Sequence, residues 1–219
     1  MITAASNSRI KRLVQLNQKS KLRRTEDVFL AEGVKMFLEA PREQLQEVYV
    51  SESFLEKCSC REHLEEVGYE VVSDSVFSKI SDTCTPQGVL CVLKQFHYNI
   101  EEMLRDKAPL FLLLENIQDP GNLGTMLRTG EGAGVSGIIM SRDTVDLYNP
   151  KVIRSTMGSI YRVPFYYADD FAAAVHQVQQ AGVSVYAAHL RGKNSYACQD
   201  YIKGTAFLIG NEGNGLREE

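Results

Sequence analysis

Apolar and polar positions along this chain follow two different periods, and the change of period marks out its elements. Leu110, Phe111, Leu112, Leu113 and Leu114 form an unbroken apolar run. A short run with no wet side predicts a strand buried on both faces. Upstream, Ile10, Leu13 and Val14 share one side of an 11-residue stretch, Ser8–Gln18, while Arg9, Lys11, Arg12 and Gln15 take the other, so a short amphipathic helix is expected. Strands are then expected at Val28 to Ala31, at residues 46–51 through Val48 and Val50, at 69–72 and at 89–93. Helical patterns separate them at 34–39, at 53–67 with an interruption near Ser59, and from Asp74 or Ser75 to Ile80. Residues 25–95 thus alternate β and α and suit a small layered domain. The polar stretch 95–107 carries only a weak helical pattern and reads as a linker.

Past the linker the alternation resumes. Strands are expected at Leu110–Leu114, 137–140, 163–165, 183–188 and Thr205–Ile209, with helices at 122–133, from Asn149-Pro150, and at 171–181. This β–α–β order predicts a mostly parallel sheet with helices on both faces. Between the first of these strands and its helix the chain reads Glu115-Asn116-Ile117-Gln118-Asp119-Pro120-Gly121-Asn122. Asp119-Pro120-Gly121 is a turn signal, and Asn122 suits an N-cap. Leu123, Met126, Leu127 and Ala133 then share a helix face, leaving Arg128 and Thr129 pointing elsewhere. An ordinary β-turn-helix needs a turn and a cap. It does not need Glu115, Asn116 and Arg128 as well, and in an open α/β sheet ligands sit at this end of the strands.

Composition narrows the class. The chain has 219 residues, 44% hydrophobic and 24% charged, which suits one large or two small domains of an ordinary globular protein. No apolar run approaches the roughly 18 residues of a membrane span, and the charged N-terminus is unlike a signal peptide. Five cysteines show no C-x-x-C spacing, so free thiols are expected and no metal. The net charge of −4 is unevenly distributed. Residues 1–24 hold Arg9, Lys11, Arg12, Lys19, Lys21, Arg23 and Arg24 with no acid, leaving −11 for the remainder. A basic segment on an acidic body is either a phosphate-contact surface or a solvated helix face.

Two glycine-rich stretches differ in context. Gly132-Ala133-Gly134-Val135-Ser136-Gly137 matches G-x-G-x-x-G, but it closes a helix and leads into a strand, the reverse of a dinucleotide fingerprint. A helix C-cap is the expectation there. Gly210-Asn211-Glu212-Gly213-Asn214-Gly215 instead follows a strand. Such a loop can bring backbone N–H and C=O groups close to a ligand, or can merely reverse the chain.

The pattern Glu115-Asn116-x-x-Asp119-Pro120-x-Asn122-x-Gly124-x-x-x-Arg128-Thr129 closely resembles the first motif of the SpoU (TrmH-type) RNA 2′-O-ribose methyltransferases of the knotted SPOUT superfamily. The stretch Leu208-Ile209-Gly210-Asn211-Glu212-Gly213-Asn214-Gly215-Leu216 resembles the second. Phe29-Leu30-Ala31-Glu32-Gly33 and Thr85-Pro86-Gln87-Gly88-Val89 look like the family's L30e-like substrate-binding domain. The segment from Val152 to Ser159 resembles a stretch near the family's active site, with Thr156 replacing a commoner Ser.

The resemblance implies an α/β protein. An N-terminal L30e-like α/β/α RNA substrate-binding domain (1–95, with a basic arm at 1–24) and a linker (96–107) would precede a mostly parallel SPOUT, trefoil-knot type, methyltransferase domain (108–219). The family's third motif is not in this sequence, so the knot segment is expected to be missing and the chain to be an incomplete form. The implied cofactor is S-adenosylmethionine, held at Leu208, Ile209, Gly210, Asn211, Gly213 and Gly215. Arg128, Asn122 and Glu212 are implied as catalytic, and Arg9, Lys11, Arg12, Lys19, Lys21, Arg23 and Arg24 are expected to meet RNA. The family's Arg is held to act as base together with a substrate phosphate, since a guanidinium alone stays protonated. No metal is required. Ribosomal RNA is the expected substrate and tRNA the second choice, in a cytoplasmic homodimer with no membrane partner. The alternative is a non-enzymatic RNA-binding protein with a decayed catalytic half.

Overall fold

The structure is a computed structural model that describes residues 1–193 and 195–217. The chain divides into two compact units: Met1–Phe96 with Asp146–Tyr161, and His97–Val145 with the residues from Arg162 onward. The segment Asp146–Tyr161 thus packs with the first unit although it interrupts the second in sequence.

In the first unit the elements run α1 (Ser8–Gln18), α2 (Ser20–Glu26), β1 (Val28–Glu32), α3 (Val34–Leu38), β2 (Leu45–Ser51), α4 (Glu52–Lys57), α5 (Arg61–Val67), β3 (Glu70–Val72), α6 (Asp74–Ile80) and β4 (Val89–Lys94). The sheet order is β1-β4-β2-β3, antiparallel except for the β2–β3 pair. Ile10, Leu13 and Leu16 of α1 and Val76, Phe77 and Ile80 of α6 form one core with Leu30, Tyr49, Leu90 and Val92 of the strands. Helix α2 was not expected. Arg23 is its one buried residue and Leu22 its one apolar contact with the core, which leaves no apolar period to read.

The second unit opens with α7 (Ile100–Met103), a short helix inside the expected linker, with Asn99 capping Glu101 N. It continues through β5 (Leu110–Leu114), α8 (Pro120–Ala133) and β6 (Gly137–Ser141). After α9 (Pro150–Thr156), which belongs to the first unit, come β7 (Phe165–Ala168), α10 (Phe171–Gln180), β8 (Ser184–Ala187) and β9 (Thr205–Ile209). The order is β7-β6-β5-β9-β8, and every neighbouring pair is parallel. β5 is central, which is why its sequence lacks a polar alternation. On one face Phe111, Leu113, Ile139 and Ala206 pack with Ile100, Met103, Ala174 and Val178 of α7 and α10. Helix α8 takes the other, with Leu123, Gly124, Leu127 and Gly130 buried and Ala133 exposed, so its inward stripe is narrower than the sequence pattern suggests. A Cβ on Gly130 would lie 3.0 Å from Val135 Cγ2 and 3.4 Å from Leu112 Cδ1, so the helix approaches the sheet through a glycine. The Gly132–Gly137 pattern is the C-cap expected of it: Gly134 has φ 73° and its N–H returns to Glu131 O and Gly130 O.

From β5 the chain proceeds outward through β6 to β7. It then crosses to the opposite edge, and β9 fills the gap between β8 and β5. The order therefore reverses between β5 and β9, and an open parallel sheet leaves a crevice at that switch, at the carboxyl ends of its strands. Both polar loops emerge there.

Candidate functional site

The first loop is shaped by the cap of α8. Asp119, not Asn122, is the N-cap: its Oδ1 accepts from Asn122 N at 2.8 Å, and Pro120 takes the first helical position. Pro is suited to N1 because that position's N–H has no helical partner. The shift frees the Asn122 side chain from the capping role that its position in the sequence suits. Its Nδ2 donates to Glu212 Oε1 at 3.1 Å.

Glu212 is the meeting point of the two motifs. Besides Asn122 Nδ2, its carboxylate accepts from Gln118 N at 3.2 Å and Asp119 N at 3.1 Å. The carboxylate thus collects N–H groups just ahead of a 14-residue helix, where the macrodipole favours negative charge. Burial alone pushes the Glu212 carboxyl up, but hydrogen bonds from its own N–H, Asn122, Gln118 and Asp119 together hold it below the usual carboxylate range.

The second loop is closed on itself. Asn211 and Gly215 exchange backbone hydrogen bonds of 3.0 and 2.9 Å, and Asn211 Oδ1 accepts from Gly213 N and Asn214 N. Gly215 sits at φ 70°, and a Cβ on Gly210 would come within 2.5 Å of Leu216 N, so both glycines are required by the backbone path. Asn211 Nδ2 donates to Asn116 O at 2.8 Å, and Glu115 N donates to Ile209 O at 2.9 Å, which joins the loops at their bases. Leu208 and Ile209 lie in β9, paired with Leu113 and Leu114 and half-buried. Arg128 lies on the exposed side of α8 and makes no ion pair among the described residues. The fold therefore brings Asn122 and Glu212 into contact, and the Arg128 guanidinium has no ion-pair partner among the described residues.

Four contributors escaped the sequence reading. Gln118 Nε2 donates to Asn116 Oδ1 and to Asp143 O, both at 2.6 Å. Ser141 Oγ accepts from Asn116 N at 2.8 Å and donates to Asp143 Oδ1 at 2.6 Å. Arg217 N donates to Glu115 Oε2 at 2.9 Å, while its side chain pairs with Asp143. Ser141 and Asp143 follow the apolar run of β6, and polar residues at the carboxyl end of a second strand were the available signal. Thr156, by contrast, is fully buried in the first unit, and its hydroxyl donates to Ile153 O at 2.7 Å.

In the first unit the basic segment is not a free arm. Arg23 is 3% exposed. It donates to Leu16 O at 2.6 Å and Asn17 O at 3.2 Å and pairs with Asp146 at 2.5 Å. That burial removes it from the expected RNA-contact set. Arg9 pairs with Glu70, and Arg12 bridges Glu26 and Glu47. Lys11, Lys19, Lys21 and Arg24 remain exposed and make no ion pair among the described residues. No grouping of three or more His, Cys, Asp or Glu able to hold a metal occurs among the described residues.

Residues 109–219 match the model of the SpoU rRNA Methylase family, and residues 7–91 match the MRM3-like substrate binding domain. The chain belongs to the SpoU rRNA methylase family. Among curated SpoU relatives, the 23S rRNA (guanosine(2553)-2′-O)-methyltransferase RlmP of Bacillus subtilis is 31% identical over 98% of this chain and 84% of its own length. A solved rRNA methyltransferase from Sinorhizobium meliloti superposes with a TM-score of 0.85 at 29% identity, covering 99% of this chain and 83% of that one. An AdoMet-bound rRNA methyltransferase from Sinorhizobium meliloti, also 29% identical, aligns at a TM-score of 0.82. The SpoU methyltransferase AviRb from Streptomyces viridochromogenes, 22% identical with a TM-score of 0.86, shares the fold. The SpoU loops of this chain suit S-adenosylmethionine chemically. The carbonyls of Glu212, Gly213 and Asn214 accept no backbone hydrogen bond among the described residues, leaving acceptors for the amino group of an adenine beside a backbone free of bulky side chains.

Proposed function

We propose that the two loops at the β5–β9 switch hold S-adenosylmethionine and that Arg128 serves the ribose hydroxyl being methylated. As a SpoU family member the protein is an S-adenosylmethionine-dependent RNA 2′-O-ribose methyltransferase. The observation that carries the site assignment is the Glu212 carboxylate, which takes donors from Gln118, Asp119 and Asn122 and so makes one site of two motifs 90 residues apart.

The cofactor supplies an electrophilic methyl on a sulfonium, so the protein's task is orientation and charge. Leu208, Ile209, Gly210, Asn211, Gly213 and Gly215 provide the cofactor wall, and Asn122 and Glu212 set its shape. The 2′-oxygen must be brought in line at about 3 Å. Arg128, permanently protonated, can grip a phosphate with its fork and stabilise charge developing on the 2′-oxygen. Its lack of an ion pair among the described residues, on the exposed side of α8, suits a group that waits for RNA.

The substrate in this reading is ribosomal RNA of the 23S type, the named substrate of RlmP. Lys11, Lys19, Lys21 and Arg24 are its phosphate contacts in the first unit, with Arg9 and Arg12 available where RNA displaces their carboxylate partners. The enzyme works as a cytoplasmic homodimer, to be checked by light scattering. No helix among the described residues is long and apolar enough to cross a membrane. The decisive experiment is tritiated-methyl transfer to ribosomal RNA by the parent and by Arg128→Ala. We expect loss of turnover by at least a hundredfold with calorimetric S-adenosylmethionine affinity nearly intact. Parental turnover in the variant would end the assignment.

A further inference from the structure

Asn116 is one of three non-glycine residues with positive φ among the described residues, at 55°. The left-handed region costs most residues about 1 kcal/mol or more, and Asn is among the few that tolerate it. Here the backbone N–H, the carbonyl and the side-chain oxygen of the residue are all used. Its N–H donates to Ser141 Oγ at 2.8 Å, its carbonyl accepts from Asn211 Nδ2 at 2.8 Å, and its Oδ1 accepts from Gln118 Nε2 at 2.6 Å. The left-handed turn ends β5 and sets the direction in which the next residues leave. Two of those residues, Gln118 and Asp119, present their N–H groups to Glu212.

Part of what fixes this turn lies outside both motifs. Ser141 and Asp143 come from the end of β6, beside β5 in the sheet. Ser141 holds the Asn116 N–H and is itself oriented by Asp143 at 2.6 Å. Asp143 then reaches both loops: its carbonyl accepts from Gln118 Nε2 of the first, and its carboxylate pairs with Arg217, just past the second. Arg217 N in turn donates to Glu115 Oε2 at 2.9 Å.

We propose that Ser141 and Asp143 are positioning residues that, through the left-handed Asn116, fix the spacing between the two motif loops and so the shape of the cofactor site. The inference rests on the cofactor reading above. A group aligned through a chain of short hydrogen bonds acts on a ligand it does not touch, as the partners that orient metal ligands do. Removing the Ser141 hydroxyl releases the Asn116 N–H. Neutralising Asp143 releases Arg217 and weakens the orientation of Ser141.

The test is calorimetric affinity for S-adenosylmethionine, alongside methyl-transfer kinetics and thermal melting, for the parent chain, Ser141→Ala, Asp143→Asn, Asn116→Gly and Asn116→Val. Ser141→Ala and Asp143→Asn should weaken cofactor affinity about tenfold and raise KM for the cofactor more than they lower kcat. Asn116→Gly, which keeps access to positive φ, should lose at least fivefold less affinity than Asn116→Val, a β-branched residue excluded from that region. A merely structural role would lower the melting temperature of all four variants while leaving affinity as in the parent, and that result overturns the proposal. Equal losses for Asn116→Gly and Asn116→Val overturn the part assigned to the left-handed turn. A parent with no affinity for S-adenosylmethionine would end the cofactor reading and this inference with it, an outcome distinct from variants that match a binding-competent parent.

Discussion

Glu212 carries a charge whose value depends on its neighbours' N–H groups rather than on a cation. A carboxyl held below its ordinary value stabilises the folded state above that value, about 4.3, and ceases to do so as pH falls through the lowered one. Loop order around Glu212 should therefore be fully present at neutral pH and decline on acidification below about pH 4. Glu212→Gln replaces an acceptor with an amide that cannot receive all three donors, and should reduce kcat/KM on the order of tenfold, the equivalent of one charge-assisted hydrogen bond of about 1.4 kcal/mol. The melting temperatures of parent and variant should differ most near pH 7 and converge in acid. A gap that stays constant down to pH 3 would show that the carboxylate's charge contributes nothing.

At the scale of elements, α8 separates two roles that one stretch of sequence had merged. Asp119 terminates the helix and Asn122 crosses to the other loop. Asp119→Ala should cost about 1 kcal/mol of stability, the usual worth of an N-cap. Asn122→Ala leaves the cap in place, so it should melt close to the parent while cofactor affinity falls. Chemical denaturation of both variants, beside calorimetry, checks this. Equal destabilisation by the two would mean that the cap and the crosslink are not separable.

At the scale of the molecule, α1 and α2 are part of a folded unit. Ile10, Leu13 and Leu16 are essentially fully buried, and Arg23 holds the C-terminal carbonyls of α1 while pairing with Asp146, 123 residues away. Deleting residues 1–24 would therefore remove core along with charge. Asp146→Ala, which strands a buried guanidinium, should cost about 2–3 kcal/mol, below the full figure for a buried pair because Asp146 itself is 29% exposed. An unchanged melting curve would contradict that. The electrostatic part of RNA binding is better tested by replacing Lys11, Lys19, Lys21 and Arg24 together with Gln. Each lost phosphate contact should reduce the log–log salt slope by about 0.7 on single strands. An unchanged slope would assign these four cations to solvent.

Local chemistry made part of this legible in the sequence. The bounds of α1, β5 and β9 follow from apolar periodicity alone, and Asn149-Pro150 opens α9 as its cap chemistry requires. The two motifs announced the family because a polar loop at the end of a buried strand needs those residue types within a few positions of one another. The rest depended on contacts between residues distant in the chain. No local pattern distinguishes the buried Arg23 from the exposed Arg24 beside it, because the difference lies in Asp146 and in the carbonyls of α1. The acid-free segment 1–24 looked unneutralised until folding brought Glu26, Glu47 and Glu70 against Arg9 and Arg12. Ser141 and Asp143 are unremarked polar residues in the sequence, and only the pairing of β6 with β5 sets Ser141 against Asn116, with Asp143 orienting it. Periodicity and turn chemistry act over a few residues and so are written in order along the chain, whereas ion pairs and the sheet's strand order arise from the packing of the whole and exist only once it has folded.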